Sequence, residues 1–345
     1  MNAVRLAFLL GLTAASVLWS ESTPREALLV LSKGDHTLAI VDPSTLKVVA
    51  KAPVGQDPHE VVASTDGKVA YVSIYGGGAY NTIDRIDLIG QQRLPSIDLG
   101  PLRGPHGLMF VGGKTWFTAE AAKAIGSYDP AKGAVDWILG TGQDRTHMIF
   151  VTGDTKRIFT TNVSSATVSI IEQGAAQGPG PGRGPGGPPP GGRGGAPDWN
   201  VTSIPVGRGS EGFDLSPDGK ELWVANAQDS TISVIDVASK KVIQTLPSTG
   251  SANRLKISLD GKYVFVSDLN GNDLLVLDAA TRKEHKRIAL PASSEGLLMA
   301  PDGSHAYTTL NSRDAVAVID LKTLTVTGEV KTGRGPDGLA WAARK

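Results

Sequence analysis

One feature constrains this chain more than any other: a unit of about forty residues recurs along it with its turns and strand ends in register. The clearest copy is 207–247, GRGSEGFDLSPDGKELWVANAQDSTISVIDVASKKVIQTLP. Four short strands are legible in it. Residues 212–215 form a first apolar run, and Ser216-Pro217-Asp218-Gly219 is a turn in which proline fixes φ and glycine supplies a conformation that other residues avoid. Residues 222–225 make the second strand, the alternating TISVIDV of 231–237 the third, and 241–246 the fourth. A meander of this size buries too little surface to fold alone, so it must stack on copies of itself.

The copies are present. Residues 257–291 carry LDGK, VFVSD and LLVLDA; 297–332 carry PDGS, AYTTL and VAVIDL; 61–99 carry TDGK, YVSI and IDRIDL. Weaker copies occupy 108–139 and 149–204. A seventh is divided between the chain ends, with 338–341 supplying one strand and 28–31, 38–41 and 47–54 the other three. This predicts an all-β, seven-bladed β-propeller over 26–345, its last blade closed by N-terminal strands plus a C-terminal strand, so that only short edges remain.

The wording of the repeat, SPDGKELWVAN followed by TISVIDVASKKVIQT, resembles the YVTN-repeat family of seven-bladed propellers, which includes YncE-like periplasmic proteins. The resemblance extends over essentially everything after residue 25. It implies the fold, whereas function varies among such propellers: binding proteins, surface-layer components, lactonases, lyases and cofactor-bearing reductases are all included. The fold therefore locates a site without naming its chemistry.

Charge narrows the partners. The chain has 34 basic and 34 acidic residues and a net charge of zero, which gives no electrostatic case for nucleic acid or an anionic membrane surface. The DNA binding associated with some YncE-like relatives is not carried over. At the start, Arg5 precedes an apolar run over 6–19 and then small residues, the pattern of a signal peptide (1–22) cleaved between Ser16 and Thr23. The expectation is a periplasmic or secreted protein with no membrane span after cleavage. Cysteine is absent, which excludes disulfides, thiolate metal sites and covalent c-type haem attachment. Residues 174–197, rich in glycine and proline, cannot build a core and read as a disordered insert in one loop of the third unit. Strand direction puts that loop on the face away from the candidate site described next.

Aligned copies carry an ionisable residue just before each innermost strand: His59, His106, His147, Glu211, Arg254, Glu295 and Asp337. In a propeller these strands line the central channel, so seven side chains converge on its mouth. Two chemistries suit such a ring. His59, His106 and His147, with Glu211 next in order, offer nitrogen and oxygen ligands for a divalent transition metal. Alternatively, a histidine beside a carboxylate acts as general acid or base, and Arg254 is a fork for a substrate carboxylate, with Glu295 and Asp337 completing the ligand contacts.

The leading reading is an exported binding module holding a small ligand or metal at the channel mouth. The first alternative is a metal- or His/Glu-assisted hydrolase or lyase of lactonase type, with His59, His106, His147 and Glu211 as its catalytic candidates. The second is a non-catalytic surface or assembly scaffold that meets a protein partner through its loops. A solvated ring with a purely structural role would leave the scaffold reading.

Loops between second and third strands open on the same face and contribute His36, Tyr75, Tyr80, Glu120, Asn162, Asn226, Asp268 and Asn311. Gly76-Gly77-Gly78 breaks the first of them beside His59. The Asp-Gly turns at Asp66, Asp218, Asp260 and Asp302 lack the ligand series of a calcium loop. Asp87, Asp236, Asp278 and Asp320, which end third strands, are expected to bind backbone amides of the following turn.

Overall fold

A computed structural model describes residues 22–174 and 198–345. The expected leader and nearly all of the insert fall outside the described residues. Gly174 and Asp198 flank the insert, with the Gly174 N–H donating to the Asp198 carbonyl at 2.7 Å. Both sit beside the 152–157 turn, on the face away from the histidines.

Among the described residues, twenty-eight strands form seven four-stranded antiparallel sheets, a seven-bladed β-propeller. Blades 1 to 6 span 58–98, 105–140, 146–205, 210–247, 252–289 and 297–331. Blade 7 joins the chain ends: Pro336–Ala343 is its innermost strand and pairs with Glu26–Ser32 in the register Leu28↔Trp341 and Val30↔Leu339. Alternation sends successive side chains to opposite faces of each blade, so the core lies between blades instead of at the centre. Leu29, Leu31 and Ile40 of blade 7, for example, pack with Val61, Val72 and Ile86 of blade 1. Trp223 and Val234 of blade 4 pack with Leu255 and Val266 of blade 5. The mouth of the axis, on the histidine face, is left to polar groups.

The turn chemistry follows the expectation from sequence. Asp218 accepts hydrogen bonds from the Ser216 hydroxyl at 2.7 Å and the Lys220 N–H at 3.1 Å. Asp236, Asp278 and Asp320 each accept the N–H three residues on, at 2.7 Å.

Two devices draw the innermost strands together. The residue after the ring position is glycine at Gly107, Gly212, Gly296 and Gly338. A Cβ on Gly338 would sit 2.3 Å from the His59 carbonyl oxygen, and one on Gly107 2.4 Å from that of His147. Second-strand hydroxyls then bridge the same seams: Thr118 donates to the His147 carbonyl, Thr161 to that of Glu211 and Ser267 to that of Glu295, each at 2.7 Å.

Candidate functional site

Six of the seven ring residues lie not before the innermost strands, as expected, but at their second or third residue, because each strand begins earlier than its apolar run; only Glu295 precedes its strand, Leu297–Met299. In blades 1 to 5 the ladder to the second strand slips at this point, between Pro58 and Val61, Pro105 and Leu108, Thr146 and Ile149, Ser210 and Phe213, and Ala252 and Leu255. An irregularity of this kind re-aims a side chain, here toward the channel axis.

The histidines stack around one side of the mouth. Ring centroids are 3.8 Å apart between His106 and His147 and 4.7 Å apart between His59 and His106, with Tyr75 edge-on to His59 at 4.8 Å. His147 is held from both ends. Its Nδ1 is 2.5 Å from Glu120 Oε1, while Nε2 lies 2.7 Å from Glu211 Oε2, a charge contact poorly aligned for a hydrogen bond. Glu120 in turn accepts the Tyr75 hydroxyl at 2.6 Å and faces Arg145 at 3.5 Å.

Electrostatics separate the two central imidazoles. Burial alone would lower the His147 pKa, but the Glu211 and Glu120 carboxylates overcome it and raise the pKa to about 8. Burial also works against Glu211 as a carboxylate; the His147 charge reverses this and brings its pKa down to about 2. His106 has no such partner. Burial, then the neighbouring His147 and His59, push it well below its ordinary value, and it is neutral at pH 7. Its Nδ1 is buried without a hydrogen-bond partner. Burial together with the Glu120 contact pushes the Tyr75 phenol up to about 12.

Among the described residues, His106, Glu120 and His147 form a buried set whose ligand atoms lie within 4.8 Å of one another. Two histidines and a carboxylate suit a divalent transition metal with open positions, and the bare Nδ1 of His106 fits that role. His59 stands outside the set: its Nε2 contacts Asp57 at 3.0 Å and its Nδ1 lies 3.8 Å from Asp337. The third member is therefore Glu120, which sequence had placed only among the loop residues on this face.

The other ring members are already paired. Arg254 is not the open fork expected: its Nη2 donates to Glu60 Oε1 at 2.6 Å across the channel, from blade 5 to blade 1. Lys33 lies 2.5 Å from Asp337 and 3.5 Å from Glu295. Sequence comparison passed over Glu60 and Lys33. Glu60 had a signal, for it alone is charged where the other copies carry Gly107, Met148, Gly212, Leu255, Gly296 and Gly338.

The class defined here is a seven-bladed propeller with a buried, charge-paired channel mouth. Residues 194–306 match the family model described as YNCE-like beta-propeller, in line with the resemblance carried by the repeat wording. No curated protein matches the chain. Among solved structures, a functionally unknown protein from Desulfotomaculum acetoxidans is similar at 12% identity with a TM-score of 0.72, covering 92% of this chain and 99% of that one. Hydrazine synthase from Kuenenia stuttgartiensis is similar at 17% identity and TM-score 0.65, covering 82% and 89%. Dihydro-heme d1 dehydrogenase NirN, in complex with DHE, is similar at 16% identity and TM-score 0.63, covering 90% and 64%. At these identities the likeness is one of fold.

Proposed function

We propose that this protein is an exported binding module that holds a divalent transition metal at the channel mouth through His106, Glu120 and His147. The observation that carries the reading is the juxtaposition of these three buried groups, with His106 Nδ1 and His147 Nε2 both left without a hydrogen bond. A buried, unsatisfied nitrogen is costly unless something is bound to it. Tyr75 and Arg145 hold the outer side of Glu120, as supporting groups around a metal commonly do. They also line a shallow pocket with Gly77 and Lys123 through which an ion reaches the carboxylate from solvent. When bound, such a metal supplies Lewis acidity toward a carbonyl or a bound water. For the hydrolase or lyase reading, His147 is clamped between two carboxylates in the metal-free protein, which leaves His106 as the neutral imidazole among its catalytic candidates.

Elemental analysis tests this directly. Protein purified without chelators, or dialysed against Zn, Mn, Fe(II) or Cu(II), is expected to retain stoichiometric metal that His106→Ala and Glu120→Gln lose. The reading fails if wild type retains none or the variants retain as much.

Export rests on the N-terminal pattern. Thr23 is buried and donates its hydroxyl to the Leu88 carbonyl at 2.5 Å, so cleavage that leaves Thr23 in place keeps this contact. Intact mass of the protein from a periplasmic fraction should place the mature N-terminus between residues 17 and 23; an unprocessed cytoplasmic chain would end the proposal of export.

A further inference from the structure

The channel does not end at the histidines. Beyond Glu60 and Arg254 it widens into a cavity of about 380 Å³ toward the opposite face, a volume in the range of small-molecule sites. Its outer wall includes Met109, Phe110, Phe150, Phe213, Leu298 and Trp341. Its inner end is formed by Glu60, Arg254 and Asp337.

The polar inventory at that end is lopsided. Asp337 is 1% exposed and neither of its carboxylate oxygens has an aligned hydrogen bond; His59 Nδ1 lies 3.8 Å from Oδ2, and Oδ1 is left without a partner. Lys33 pairs with its Oδ2. Burial works against the Asp337 charge, but Lys33 and Arg254 outweigh it and keep the group ionised, hence acceptor-only. On Glu60, Oε1 receives Arg254. Carboxylate lone pairs thus remain at the inner end of a cavity whose wall is mostly apolar, with the paired Asp214 and Lys256 as its other charged groups. A ligand that satisfies them must bring N–H donors, and a positive charge strengthens each bond.

We propose that the channel end facing away from the histidines is a second binding site, for an organic amine with an apolar body. The ammonium group meets Asp337 and Glu60, while the body lies along the aromatic and aliphatic wall. The metal reading is independent of this one, since the two sites use different residues.

Calorimetric titration of the mature protein with phenethylamine, phenylacetate and phenethyl alcohol tests the proposal, because the three share a body and differ in head group. The amine is expected to bind at least about tenfold more tightly than either of the others. Ala63→Trp, which fills the outer channel, should abolish binding of the amine. Asp337→Asn should remove its advantage over the alcohol, with circular dichroism showing that both variants fold. The proposal is overturned if the acid or alcohol binds as well as the amine, if amine binding survives both substitutions, or if wild type binds none of the three. Should neither variant fold, competition settles the matter: octylamine must displace phenethylamine and octanoate must not, and any other pattern overturns it.

Discussion

The Thr118 hydroxyl donates to the backbone carbonyl of His147 across the seam between blades 2 and 3, at 2.7 Å, and accepts the N–H of Gly107 at 2.8 Å. One side chain thus fixes the backbone at two neighbouring ring positions, His106-Gly107 and His147. Thr118→Val keeps the shape and leaves both backbone groups buried and unpaired. The expected cost is about 1–3 kcal/mol in chemical denaturation, and metal retention at His106 and His147 should weaken with it. An unchanged midpoint would remove the seam from the account of how the site is held.

The pH dependence of the metal-free protein has two limbs of opposite sign. His147 has a pKa of about 8 when folded against an ordinary 6.5, so the stability it contributes is complete below 6.5 and is lost as pH rises through 8. His106 and His59 are shifted the other way, mainly by burial, so they add stability above 6.5 that is lost as pH falls below it. Thermal melts between pH 5 and 9 should show the histidine contribution greatest near pH 6.5. His147→Gln should flatten the alkaline limb and, by removing a neighbour that helps depress His106, also weaken the acid limb.

The Glu60–Arg254 contact is a buried ion pair spanning the channel, with side chains 13% and 11% exposed. Removing one partner strands a charge, so Glu60→Gln or Arg254→Met alone should cost about 3–5 kcal/mol, and the double variant less than the sum. A double-mutant cycle by urea denaturation gives the coupling; additive losses would mean that the two groups act separately.

Gly338 abuts the His59 carbonyl, with an ordinary negative-φ backbone, so its constraint is purely one of space. Gly338→Ala should destabilise by about 1–3 kcal/mol through overpacking. Gly140→Ala is the control, since a Cβ there meets nothing within 4 Å. Equal melting temperatures for the two variants would contradict the close-approach argument.

Much of the architecture was legible because repetition makes it so. The Asp-Gly turns and the aspartates ending third strands mark blade boundaries independently in several copies, and the divided seventh copy already implies the pairing of Leu28 with Trp341. The ring position was legible for the same reason. Its partners were not. Glu60 and Glu120 meet Arg254 and His147 only across blades, and Lys33 meets Asp337 only where the two chain ends join in blade 7, so no periodicity within a unit encodes which opposing side chain a bulge will aim at. Arg254 consequently read as open when it is bound. The cavity beyond it escaped notice because attention to the ring position stops at one level of the channel.

The two chain ends leave the molecule side by side, since the Arg344 N–H donates to the Arg25 carbonyl at 2.8 Å. Tension applied between them would load that antiparallel ladder one rung at a time, like a zip, before reaching any other sheet. Because Asp337 and Lys33 sit at the far end of that ladder, beside the Ser32↔Pro336 rung, the channel would keep its acidic floor until the last rungs opened, while six blades remained intact.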